Sequence, residues 1–67
     1  MKLPLGQLIK ITLDERESPL LAIVTNYFNN GSYELTWSVG DRIISTITSR
    51  EQLVYKFSHG DYKLVLH

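Results

Sequence analysis

The sequence predicts a small all-β domain, a strongly bent antiparallel meander of about five to six short strands that closes into a small barrel. Three observations lead to this fold class. Several short segments alternate apolar and polar residues with a period of two. Glycine-containing turn pairs separate these segments. β-branched residues are dense in residues 43–48, where they favour strand over helix. Helix is expected in at most one short turn, near residues 49–52.

The chain is expected to form a single domain over its 67 residues, with residues 1–7 as a lead segment. A chain this short buries only about 60% of the surface that its unfolded form exposes. The sequence contains no cysteine, which excludes disulfides, thiolate metal sites and a cysteine nucleophile. Packing, with or without association between chains, must therefore supply the stability.

The charge balance and the hydropathy pattern both argue against several classes of partner. Seven basic and seven acidic side chains cancel, so no overall field attracts nucleic acid or an anionic membrane. The first residues lack the apolar segment of a secretion signal. No apolar run approaches the roughly 20 residues of a membrane helix. The expectation is a soluble, cytoplasmic protein with no membrane partner.

The first predicted strand covers residues 8–13, where Ile9, Ile11 and Leu13 alternate with polar residues. Residues 14–19 form a polar connection that holds three of the seven acidic residues. Pro19 prevents a strand from running straight through this connection.

The hairpin of residues 20–39 turns over residues 29–32, and its register has two possible solutions. A two-residue type I′ turn at Asn30-Gly31 points one set of side chains toward the core: Ala22, Val24 and Phe28. It also leaves Asn26 as a misfit opposite Leu35. A three-residue loop points the other set inward: Leu21, Ile23 and Tyr27. We favour the two-residue turn, and the direction of Asn26 decides between them.

The return strand of this hairpin, residues 33–39, has the cleanest alternation in the chain, and Trp37 is its expected core anchor. A three-residue connection over residues 40–42 then pairs Val39 with Ile43 and sets Ser45 opposite Trp37. The pattern of residues 49–52 is that of a capping box, which opens a helix. A second hairpin is expected over His59-Gly60, joining residues 53–57 to residues 62–66.

The size and strand count of this plan resemble those of SH3-like, Tudor-like and Sm-like modules. The resemblance is one of architecture, and it implies no particular function.

No catalytic or metal-binding constellation is visible, so neither an enzyme nor a cofactor is expected. His59 and His67 fall at opposite ends of the predicted second hairpin and cannot share a metal ion. His59 and Asp61 flank a tight turn without an activated nucleophile. The glycines lack the spacing of a phosphate-binding loop.

The predicted function is a non-enzymatic protein-interaction module that acts in a homo-oligomer, or as a small subunit or regulator of a larger partner. Its expected partner-binding residues form an apolar patch on the outer face of the central strands: Leu21, Ile23, Tyr27 and Ile44. Either the lead segment, residues 1–5, or another chain covers this patch. The alternative is single-stranded nucleic-acid binding, which the zero net charge disfavours. Its contacts would come from tyrosines and basic residues: Tyr33, Tyr62, Lys56, Lys63 and Arg50.

Overall fold

A computed structural model describes residues 2–12 and 18–65 of the chain. Within those residues it contains five strands and one helix: β1 Leu8–Ile11, β2 Leu20–Tyr27, β3 Tyr33–Val39, β4 Arg42–Thr48, α1 Arg50–Ser58 and β5 Tyr62–Leu64. The strands form one antiparallel sheet in the order β4-β3-β2-β1-β5. The predicted small all-β class is therefore confirmed. Leu13, residues 14–17 and residues 66–67 lie outside the described residues.

The sheet has two edges, because β4 and β5 lie at its opposite ends. Within the described residues these two strands do not pair, so closure into a barrel is not confirmed. The chain passes from one edge to the other through α1, and Leu53 of that helix packs into the core. We call the face of the sheet that contacts α1 the inner face, and the opposite one the outer face.

The hydrophobic core lies between the inner face and α1. Its buried side chains are Leu3, Ile9, Ile11, Ala22, Val24, Tyr33, Leu35 and Leu53. The lead segment takes part in this core, because Leu3 is buried and donates its backbone N–H to the Tyr33 hydroxyl at 3.0 Å. The lead therefore covers one end of the inner face, and Leu21 and Ile23 of the outer face stay exposed.

The β2–β3 hairpin combines a three-residue loop with a bulge, so the favoured two-residue register is wrong. Phe28 accepts from the N–H of Gly31 and donates to Ser32, which closes a loop whose positive φ falls on Gly31 alone. Among the described residues no non-glycine residue has a positive φ, which rules out the type I′ turn. The pairing runs Tyr27 with Tyr33 near the tip but Val24 with Leu35 farther down.

The bulge at Thr25 explains why the predicted core side was partly right. One extra residue in β2 returns Ala22 and Val24 to the inner face, although the loop alone would have turned them outward. Asn26 lies opposite Glu34 on the outer face and is exposed, contrary to the inward direction that the two-residue register required.

The β3–β4 connection is two residues long, and the predicted three-residue turn is wrong. Val39 pairs with Arg42, and Trp37 pairs with Ile44 instead of Ser45. Gly40, at φ 61°, takes the first central position, as in a type II′ turn. A shift of one residue exchanges the faces of a strand. Ile43 and Ile47 therefore lie on the outer face. Trp37, the expected core anchor, lies on the inner face but is only half-buried.

The second predicted hairpin is replaced by α1, which is longer than the single turn expected. Ser49 caps its start by accepting the N–H of Gln52 at 3.2 Å, as the capping pattern predicts. At its end, Gly60 has φ 80° and donates to Phe57, while Asp61 donates to Lys56. These two hydrogen bonds form a Schellman motif, so Gly60 ends a helix and not a strand.

In the predicted second hairpin Lys56 would lie directly opposite Lys63, and the helix separates these two lysines. Lys56 lies on α1, whereas Lys63 of β5 pairs with Lys10 of β1 on the outer face. That hairpin would also have paired Phe57 with Tyr62, and in the observed fold their rings still meet edge to face, with 5.9 Å between their centroids.

Candidate interaction surfaces

The outer face exposes aliphatic side chains from two strands that flank β3. On β2, Leu21 is 59% exposed and Ile23 is 37% exposed. On β4, Ile43 is 78% exposed and Ile47 is 62% exposed. Fully burying a side chain of this kind stabilises a complex by about 1.5–3 kcal/mol. A face with four such groups can bind the apolar surface of another protein.

A row of hydroxyl groups crosses the outer face between these aliphatic groups. Thr25 Oγ1 lies 2.7 Å from Glu34 Oε1 and 2.9 Å from Thr36 Oγ1, and Thr36 Oγ1 lies 3.0 Å from Ser45 Oγ. The row links β2, β3 and β4, and it holds the Glu34 carboxylate near the hairpin tip. A partner that covers this face therefore meets polar groups among the apolar ones.

The four residues of the predicted partner-binding patch do not share one face. Leu21 and Ile23 lie on the outer face, as expected. Tyr27 pairs with buried Tyr33 and Ile44 pairs with Trp37, so both belong to the inner face. All of the predicted residues are partly exposed, but the register separates them into two pairs.

Sequence reasoning missed Ile43 and Ile47, which are the two most exposed isoleucines of the chain's described part. The signal was present in Gly40-Asp41, because glycine followed by another residue is typical of a two-residue type II′ turn. Reading that turn correctly places both isoleucines on the outer face.

A second surface lies where the tip of the β2–β3 hairpin meets the start of α1. An open depression of about 340 Å³ is lined by Lys2, Tyr27, Gly31, Tyr33 and Arg50. A Cβ atom at Gly31 would lie 3.8 Å from the Cβ of Arg50, so the helix start is in contact with the loop. Two cationic groups thus stand beside a tyrosine pair whose ring centroids are 4.9 Å apart.

Of the residues predicted to contact nucleic acid, only Arg50 and Tyr33 come together in this depression. The Tyr33 side chain is buried, so the stacking surface there belongs to Tyr27, which is 48% exposed. Lys2 was not expected at this place, because the lead segment carries no strand or helix pattern.

The other three predicted contacts lie elsewhere. Lys56 faces Asp61 at 4.0 Å, and Lys63 lies on the outer face. Tyr62 is half-buried against Phe57. Burial raises the pKa of the Tyr62 phenol, and the Asp61 carboxylate adds to the rise. These residues do not form one basic surface.

The histidine at the end of α1 is engaged with its own helix. His59 Nδ1 lies 2.9 Å from the Tyr55 carbonyl oxygen, and the two rings stack at 3.9 Å. Within the described residues, no group of three or more His, Asp or Glu side chains could hold a metal ion.

Across residues 2–12 and 18–65, no helix is both long enough and apolar enough to span a bilayer. Comparison with known protein families, with characterised proteins and with solved structures finds no match to this chain.

Proposed function

We propose that this protein is a non-enzymatic interaction module, which acts in a homo-oligomer or as a small subunit or regulator of a larger protein. It binds its partner through the outer face of the sheet. A cysteine-free composition suits work in the reducing cytoplasm.

The observation that carries this proposal is the unequal use of the two sheet faces. The inner face already contacts α1 and the lead segment, and its aliphatic residues Ile9, Val24 and Leu35 are buried. The outer face leaves Leu21, Ile43 and Ile47 more than half exposed. The exposed apolar residues on the inner side, such as Tyr27 and Ile44, stay below half exposed. Apolar groups this exposed and grouped on one face are typical of a protein-interaction surface.

The polar row gives the outer face its selectivity. A partner that covers Leu21 and Ile23 must also supply hydrogen-bond donors for the Glu34 carboxylate or leave it exposed to solvent, because burying an unpaired carboxylate is energetically unfavourable. Thr25 and Thr36 hold this region in one arrangement. The aliphatic groups then supply affinity, and the polar row rejects apolar surfaces of the wrong pattern.

Site-specific photocrosslinking tests the proposal. A benzophenone side chain is introduced in place of Leu21 in one variant and in place of Val54 in another. Val54 is an exposed aliphatic residue of α1, at 45% exposure, and serves as the matched control. In extract of the native cells, position 21 should give discrete crosslinked protein bands and position 54 should not. Equal crosslinking from both positions would reject the outer face as the binding surface.

A second candidate function, single-stranded nucleic-acid binding, is supported by the depression at the hairpin tip. Tyr27 offers a partly exposed ring for a base to stack on, and Lys2 and Arg50 offer charges for the phosphates. The binding surface would then be the hairpin tip and not the outer face.

Salt dependence of oligonucleotide binding tests this second function. Binding to a labelled single strand should weaken steeply as salt is added. Arg50→Glu should abolish it, and Lys63→Glu, on the other face of the sheet, should leave it nearly unchanged. Absence of binding at low salt, or equal loss in both variants, would remove this candidate.

A further inference from the structure

We infer that β4 pairs with the β4 strand of a second copy of this chain, antiparallel and centred on Ser45, so that two five-stranded sheets join into one. The inference rests on the proposed function, because it names a partner for part of the outer face. It adds a specific edge, a register and a symmetry.

The edge of β4 is suited to accept a strand. β3 pairs with all seven of its residues, and no described strand pairs with its other edge. Natural edge strands are shortened or carry lysine, proline or a bulge, which block unwanted pairing. β4 contains neither lysine nor proline, and its register with β3 is unbroken. By contrast, the other edge strand, β5, has three residues and includes Lys63.

The side chains along this edge are apolar where water would be expected. Ile43 and Ile47 are the most exposed aliphatic residues of β4, at 78% and 62% exposure. They lie on the same face, on either side of Ser45. A neighbouring strand would contact both of them along their length.

The order of residues in β4 fits a two-fold axis. On the outer face the strand reads Ile43, Ser45 and Ile47, which is the same in both directions. Antiparallel pairing about Ser45 sets Ile43 against Ile47 of the second copy, and Ile47 against Ile43. Symmetric dimers require this kind of self-complementary surface.

Charge also favours the antiparallel arrangement. Arg42 is the one charged residue of β4, and it stands at the start of the strand. Pairing about Ser45 sets Arg42 opposite Thr48 of the second copy, so the two guanidinium groups lie at opposite ends of the interface. Parallel pairing in register would set them side by side, which is unfavourable.

The joined sheet also doubles the proposed interaction surface. A two-fold axis perpendicular to the sheet leaves both outer faces on the same side. Leu21 and Ile23 of each copy then belong to one extended face, and a partner with two matching sites would gain from bivalent binding.

Two double variants test the pairing through its register. In I43K/I47K, each new lysine faces another lysine across the axis, and self-association should weaken by on the order of a hundredfold. In I43E/I47K, each new glutamate faces a new lysine of the second copy, and the dimer should be restored. Val54→Lys, at an exposed aliphatic position of α1 outside both the β4 edge and the outer face, is the control and should remain dimeric. Sedimentation equilibrium measures the dissociation constants, and circular dichroism with cooperative urea unfolding checks that each variant is folded.

The outcomes separate this inference from the proposed function. A wild-type chain that stays monomeric up to millimolar concentration would overturn the β4 pairing, while crosslinking at position 21 would still report on the outer face. A dimer that survives in I43K/I47K would also overturn it. If I43E/I47K behaves like I43K/I47K, the register centred on Ser45 is wrong.

Discussion

At the scale of single residues, Tyr33 joins three parts of the molecule. Its ring is buried at 2% exposure and lies tilted against the Tyr27 ring, and its hydroxyl accepts the backbone N–H of Leu3. The lead segment has no strand of its own, and this hydrogen bond, the packing of Leu3 and the backbone hydrogen bonds of Gly6 and Gln7 with Val24 hold it on the core. Tyr33 therefore connects the lead, the hairpin and the edge of the hairpin-tip depression.

Tyr33→Phe is expected to reduce stability by about 1–3 kcal/mol, because the N–H of Leu3 loses its partner in a buried place. Tyr27→Phe is the matched control, since its side chain is 48% exposed, and its effect should be much smaller. Urea unfolding at neutral pH measures both. Equal effects of the two variants would mean that the Tyr33 hydrogen bond does not secure the lead.

Tyr62 should make the fold sensitive to alkaline pH. Burial, followed by the nearby Asp61 carboxylate, raises the pKa of this phenol in the folded chain. The contribution of this group to the free energy of unfolding is fully present below the ordinary tyrosine pKa of about 10, and it is lost as pH rises through the higher folded value. Urea unfolding measures the free energy of unfolding at pH 8 and at pH 11. The decrease between the two should be smaller in Tyr62→Phe than in the wild type. Tyr55→Phe, an exposed replacement, should lose as much as the wild type does.

At the scale of elements, α1 shows where sequence reasoning failed. Leu53, Tyr55 and Phe57 fit a strand of period two, whereas Leu53 and Phe57 alone fit one side of a helix. A segment this short satisfies both patterns, and the tyrosine favoured the strand. The end signals could have decided the matter, because Ser49 caps a helix and Gly60 follows one.

The helix ends supply a direct test of α1. Ser49→Ala removes the side chain that accepts the N–H of Gln52 and should cost about 1 kcal/mol. Gly60→Ala forces a positive φ on a residue with a Cβ and should cost about the same. Ser38→Ala, on an exposed position of β3, is the control and should cost little. Unfolding free energies unchanged by both end variants would contradict the helix.

The register of the β2–β3 hairpin was predicted one residue off at its tip and two residues off beyond the bulge, and that of β3–β4 one residue off. The reason is physical. Strand boundaries depend on composition, so residues 33–39 could be assigned correctly as β3. Register depends on the turn and on bulges, and a shift of one residue exchanges the two faces. The bulge at Thr25 left no mark in the hydrophobic pattern. The correct inward set, Ala22 and Val24, was reached through two errors that cancelled.

At the scale of the whole molecule, the small size explains the division between the two sheet faces. One nine-residue helix and the lead segment cover the inner face, and the described chain has no second helix for the outer one. The sequence of β2 already indicates this division, because residues 20–24 are apolar on both sides. Such a pattern is typical of a strand that is buried on both faces, and in our proposal a partner buries the outer one.

The central claim is that the inner face stabilises the fold and the outer face binds a partner. Two adjacent residues of β2 separate these roles, because Ala22 is 1% exposed on the inner face and Ile23 is 37% exposed on the outer face. The decisive measurement compares Ala22→Asp with Ile23→Asp in two ways. Circular dichroism shows whether each variant is folded, and crosslinking from position 21 in cell extract shows whether it still binds the proteins that the wild-type chain binds. We predict that Ala22→Asp unfolds, while Ile23→Asp stays folded and loses the partners. An Ile23→Asp variant that unfolds, or that stays folded and keeps every partner, would contradict the account.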